Sequence, residues 1–212
     1  MKTLQKKQKG FTLIEIAIVL VIIGLLLGGI LKGQELINSA KVKNLATDFR
    51  NIPVFIYGYQ DKFRALPGDD IAATTHAGAT ATNGDGDGII EGNYNATTTA
   101  SESFNFWQDV RLAGLAAGPT VTTAADYIPR NAVGGKIGIT NAAATPITGL
   151  TGSYIICSDA IPGKFAKQLD ITLDDGQTNT GSMMVSTAGT GGAPIAAATI
   201  VDDTNYLVCM GV

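Results

Sequence analysis

From Ile16 to Leu31 every residue is apolar or Gly, and Phe11 to Ile14 carries the run upstream past one interruption at Glu15. About 21 residues at about 1.5 Å each span roughly 30 Å, the thickness of a bilayer's hydrocarbon core, so the segment predicts a membrane helix. Beyond it the pattern thins. Leu36, Ile37, Ala40, Leu45, Phe49, Ile52, Phe55, Ile56, Tyr59 and Phe63 recur at threes and fours, which predicts an amphipathic helix over 34–63 with one face for a folded body. Pro53 should kink this helix, and Leu66-Pro67-Gly68 should stop it.

Residues 71–100 are rich in Ala and Thr and poor in bulk, and read as loop. Phe104, Trp107, Gln108, Arg111, Leu112 and Leu115 resume a helical spacing, with Trp107 reading as core. Four short runs follow, Lys136–Thr140, Ser153–Cys157, Met183–Ser186 and Tyr206–Cys209, rich in the β-branched and aromatic residues of strands. Pro162 opens a short helix through Leu169. The predicted class is α+β, a long N-terminal helix whose second half lies on a small antiparallel sheet.

Charge sharpens the N-terminal picture. Lys2, Lys6, Lys7 and Lys9 are four of the 15 basic residues, and no acid accompanies them in the first ten positions. Without those four, 11 bases face 18 acids, and the formal charge falls from -3 to -7. So acidic a body excludes nucleic acid as a partner. The basic cluster orients the N-terminus to the cytoplasm and the body outside. Charged residues are 16% of the chain against about 25% in an ordinary soluble domain, which fits an exported protein. In an oxidising compartment Cys157 and Cys209 read as one bridge; two unrelated buried thiols are the alternative.

A conventional secretory signal does not explain this N-terminus. Gly28-Gly29-Ile30-Leu31-Lys32-Gly33 is a poor cleavage site, and a signal core carries no carboxylate. An acid inside a membrane run costs several kcal/mol, which marks Glu15 as functional. Lys6-Lys7-Gln8-Lys9-Gly10 followed by Phe11-Thr12-Leu13-Ile14-Glu15 resembles the prepilin signature of type IV pilins and type II secretion pseudopilins. The likeness covers about a sixth of the chain.

The resemblance implies a leader 1–10 removed after Gly10 and methylation of the new N-terminal Phe11 by a prepilin peptidase/methyltransferase. It also implies that Glu15, the fifth mature residue, meets the free α-amine of a neighbouring subunit's Phe11. The implied organisation is a lollipop: an assembly helix 11–33, a stem helix 34–66 and a head 67–212. The implied partners are further copies or related pilin subunits in a filament, together with an inner-membrane assembly platform. The implied location is the bacterial inner membrane, single-pass with a periplasmic head, then a pseudopilus or cell-surface pilus. Gly24, Gly28, Gly29 and Gly33 allow close helix approach and weaken the helix, so this stretch should unwind on assembly. A Cys157–Cys209 bridge would match the C-terminal disulfide loop of many pilins, closing about fifty residues.

Within the Asp/Gly-rich loop 83–91, Asn83, Asp85, Asp87 and the carbonyl of Ile89 stand at the spacing of the first half of a calcium loop. Tyr94 occupies the place of the closing glutamate, leaving Glu91 or Glu102 to complete a Ca2+ site. Thr99-Ala100-Ser101-Glu102 offers Glu102 another role, a capping box for the next helix. A plain Gly-rich turn is the alternative reading of the loop. Asp69 and Asp70 either lend the loop another carboxylate or form a solvated turn, and neither is counted among its ligands, while Asp170, Asp174 and Asp175 offer a second set of oxygens. His76, the sole histidine, reads as a surface loop residue, and no P-loop, zinc spacing or nucleophile elbow appears. Two functions remain: a non-enzymatic filament subunit, or a membrane-anchored calcium-dependent binding or enzymatic domain outside any filament. A processed Gly10-Phe11 junction with an intramembrane acid favours the first.

Overall fold

A computed structural model describes residues 10–189 and 191–212; the basic cluster at the N-terminus, read as a leader, lies outside the described residues. The chain divides into two units, Met1–Ala40 and Lys41–Val212. In the first, the described structure is the opening part of helix α1 (Leu13–Phe63). Every large apolar side chain from Leu13 to Ile37 is exposed. Among the described residues this is the one helix long and apolar enough to cross a membrane, and it fits a single-pass anchor. The helix runs through Gly24, Gly28, Gly29 and Gly33 unbroken.

The second unit is a helix-on-sheet body. From Lys41 onward α1 buries Val42, Leu45, Ala46, Phe49, Ile52, Ile56 and Tyr59, the stripe expected from a 3.6-residue period. Pro53 sits inside the helix without ending it. The stop comes at Arg64, which adopts a left-handed φ of 58° while its N–H donates to the Gln60 carbonyl at 2.9 Å. A one-turn helix α2 (Ala73–His76) and a longer α3 (Glu102–Leu112) follow. Trp107 is buried on α3, edge-on to Phe106 with ring centroids 5.1 Å apart.

Four antiparallel strands complete the body: β1 (Ile137–Asn141), β2 (Tyr154–Pro162), β3 (Met183–Thr187) and β4 (Asn205–Gly211), in the order β1-β2-β4-β3. Helix α4 (Gly163–Leu173) joins β2 to β3. β2 outruns its expected end at Cys157 because pairing resumes beyond an irregularity between Ser158 and Ile161. The sheet is buried on both faces. Ile139, Ile156, Val185 and Val208 share a core with α1, α3 and α4, whereas Ile155, Cys157, Met184, Leu207 and Cys209 pack with Tyr94, Ile147 and Leu150. Cys157 and Cys209 are direct cross-strand partners and form a disulfide.

Candidate functional site

Two constellations carry the chemistry. The first is the start of α1. Gly10 and Phe11 are exposed and precede the first turn. One carboxylate oxygen of Glu15 accepts both the Thr12 N–H and the Thr12 hydroxyl at 2.8 Å, while the Glu15 N–H donates back to the Thr12 hydroxyl oxygen at 3.3 Å. This is a reciprocal capping box, so within a single chain Glu15 already satisfies orphan donors of its own helix. The Thr-x-x-Glu spacing was readable at 12–15; the membrane context obscured it.

At 99–102 the same spacing does not cap. The helix begins one residue after Ser101, which makes no side-chain cap bond, and Glu102 stands first in the helix. Its carboxylate instead accepts the backbone N–H groups of Asp85 at 3.2 Å and Glu91 at 3.1 Å.

That places Glu102 in the second constellation, the loop 83–91. Asp69, left open between a lent carboxylate and a solvated turn, is buried and lies at its centre. Its carboxylate accepts the Gly86 N–H at 2.6 Å and the Asp87 N–H at 3.1 Å on one oxygen, and the Gly88 N–H at 2.9 Å on the other. The Asp/Gly sequence therefore first builds a nest of inward amides around a carboxylate of the chain itself. Gly86 supplies the turn with a φ of 78°, and any side chain at Gly84 would collide with the Asp69 backbone. Three successive inward amides need an acceptor, and that requirement was the signal pointing to Asp69.

Carboxylate oxygens of Asp69, Asp85 and Glu102 lie within 4.8 Å of one another. Burial, above all, raises the pKa of Asp69, against the pull of the Gly88 and Gly86 amides. Burial likewise raises that of Glu102, against the Glu91 and Asp85 amides, with the charges of Asp69 and Asp85 adding to the rise. Among the described residues no Lys or Arg pairs with any of the three. Three hard oxygen donors without a compensating charge fit a hard divalent ion. Of the residues read as ligands, the structure brings together Asp85 and Glu102, with Asp69 added. Asn83 accepts the Thr74 N–H at 2.9 Å, and Asp87 accepts the Ile89 N–H at 2.8 Å. Asn83, Asp87 and Ile89 are all exposed.

Asp70, also buried, binds the Tyr59 hydroxyl at 2.8 Å and His76 Nδ1 at 2.7 Å. His76 is half-buried and stacks on Phe63, so it is a packed residue rather than a free loop side chain. A cleft opens beside them, lined by Phe63, Leu66, Asp69, His76 and Tyr154.

Together these features show a long apolar N-terminal helix that fits a single-pass anchor, followed by a disulfide-linked α+β body. Residues 5–31 match the family model for the prokaryotic N-terminal methylation motif, the signature of type IV pilin and pseudopilin precursors. The match spans about an eighth of the chain and ends within the apolar run. No curated protein matches this chain.

Proposed function

We propose that this chain is a structural subunit of a type IV pilus or type II secretion pseudopilus, cleaved after Gly10 and assembled through α1. The observation that carries this reading is a methylation motif leading directly into an apolar helix with no protein cover. Leaving such a surface in water is unfavourable by about 25 cal/mol per Å2, and lipid first, then neighbouring subunits, would cover it. In that setting Glu15 exchanges its intrahelical cap for the α-amine of a neighbour's Phe11. The head is periplasmic before assembly, with Cys157 and Cys209 oxidised there.

Within this reading Asp69, Asp85 and Glu102 hold Ca2+, with Asn83, Asp87 and the Ile89 carbonyl available to complete six to eight oxygens. The ion would pin the loop 83–91 between the end of α1 and the start of α3.

The test is mass spectrometry of the mature N-terminus in cells, followed by shearing and fractionation. N-methylated Phe11 with the protein in sheared filaments establishes a pilus subunit. N-methylated Phe11 retained in the membrane, with secretion lost in a deletion strain, establishes a pseudopilus subunit. An unprocessed N-terminus refutes both. Asp85→Asn, an exposed substitution, should remove the calcium response of loop 83–91 in calorimetry without lowering the calcium-free melting temperature.

A further inference from the structure

The geometry points to a second calcium site, at the C-terminal end of α4, formed by Asp170, Asp174 and Asp175. Carboxylate oxygens of the three lie within 4.8 Å of one another. Two ligands on opposite sides of a calcium ion at about 2.4 Å are about 4.8 Å apart, so the three stand at the spacing of ligands to one ion and need only small side-chain adjustments to meet it.

An acidic cluster alone says little, since acids at a surface are ordinarily solvated. Asp170 is different. It is 0% exposed, and neither of its carboxylate oxygens has a hydrogen-bond partner of normal geometry. The Gly176 amide faces it and favours its charged form, yet falls short of such a bond. The basic residues of α4 are engaged elsewhere, Lys164 with Asp203 and Lys167 with Asp202. A buried carboxylate with no partner costs several kcal/mol unless it is neutralised or meets a cation.

The helix end makes the arrangement less favourable still. The last turn of a helix carries negative partial charge and free carbonyl oxygens, so anions belong at the other end. Three acids at a helix C-terminus oppose that field. A cation reverses the sign of the problem, since acids and terminal carbonyls alike become donors to it.

The other two acids are already held in place. Asp174 accepts the Ser182 hydroxyl at 3.1 Å and the Met183 N–H at 2.8 Å, and Asp175 accepts the Gln177 N–H at 2.7 Å. An ion here therefore ties the end of α4 to the start of β3, an edge strand of the sheet. The donors are all oxygen, which disfavours zinc, and a turn-borne set without octahedral order suits calcium better than magnesium.

The experiment uses the full chain in detergent micelles, stripped with chelator and titrated with CaCl2 by calorimetry. Asp170→Asn and Asp174→Asn should each lose one binding event that Asp85→Asn retains. Asp170→Asn should also melt no lower than the unsubstituted chain without calcium, because it removes a buried charge. On the unsubstituted chain, calcium should slow hydrogen exchange at Gln177 and Met183 by at least about tenfold. That measurement stands whether or not a variant folds. Undiminished stoichiometry in Asp170→Asn, unchanged exchange at those amides, or equal protection by MgCl2 alone would overturn the assignment. The outcome at Asp85 is independent of it.

Discussion

Glu15 serves one role within its own chain and a second in the proposed assembly, and the two can be separated chemically. Glutamine at the third helical position still accepts the Thr12 donors but carries no charge. Glu15→Gln should therefore be cleaved normally after Gly10 yet enter sheared filaments at least about tenfold less, since breaking a buried ion pair costs about 3–5 kcal/mol. Equal incorporation on an immunoblot would remove the pairing from the mechanism. Asp69 is the residue the sequence leaves undecided between a lent carboxylate and a solvated turn, because an Asp after Pro-Gly looks like a turn until the loop's amides are asked for an acceptor. Asn in its place turns one accepting oxygen into a donor facing amides. Asp69→Asn should lose about 1–3 kcal/mol in chemical denaturation without calcium. Asp48, half-buried on α1, has its pKa pushed by burial from 3.8 to about 6. The folded chain thus binds this proton more readily than the unfolded one, and the contribution of Asp48 to stability falls as pH rises through that interval. Relative to the natural chain, Asp48→Asn should gain stability between about pH 4 and pH 6.5 in melting curves.

At the scale of elements, the starts of the strands were legible to within a residue, because β-branched runs such as Ser153–Cys157 and Tyr206–Cys209 lie between turn residues. Their ends were not, since β2 continues past its irregularity by pairing with β4, a contact that no local pattern encodes. Helix starts were the weakest point. Two Thr-x-x-Glu stretches look alike, and the one that caps is at 12–15 while the other lends its carboxylate to a distant loop. α4 runs four residues beyond Leu169, carrying Asp170 into the core, where the sequence reading stopped the helix. The disulfide joins neighbouring strands 52 residues apart in sequence. Chain entropy for such a loop sets its contribution at up to about 4 kcal/mol. Cys157→Ser with Cys209→Ser should lower the denaturant midpoint accordingly and steepen the denaturant slope, because the unfolded chain without the cross-link is more expanded.

For the whole molecule, the basic leader, apolar run and acidic remainder were plain in the sequence, because composition alone separates a membrane-compatible segment from a soluble one. The meeting of the acids was not, since Asp69, Asp85 and Glu102 come together only when the connection between α1 and α3 has folded. The division at Ala40 makes a further expectation. The full chain should resist alkaline carbonate extraction from membranes, whereas a chain beginning at Lys41 should be soluble and retain its near-ultraviolet circular dichroism. The strand order has a temporal meaning as well. Among the described residues β3 pairs with β4 alone, and β2 takes β4 as its second neighbour, so the strand made last among the four lies in the interior of the sheet. On the proposed export route, with the N-terminus held in the cytoplasm, the body presents β1, β2 and β3 before that keystone arrives, with non-local pairing still to come. On that route Cys157 would wait as an unpaired thiol through the synthesis of 52 residues, open to capture by the oxidising machinery of the proposed compartment.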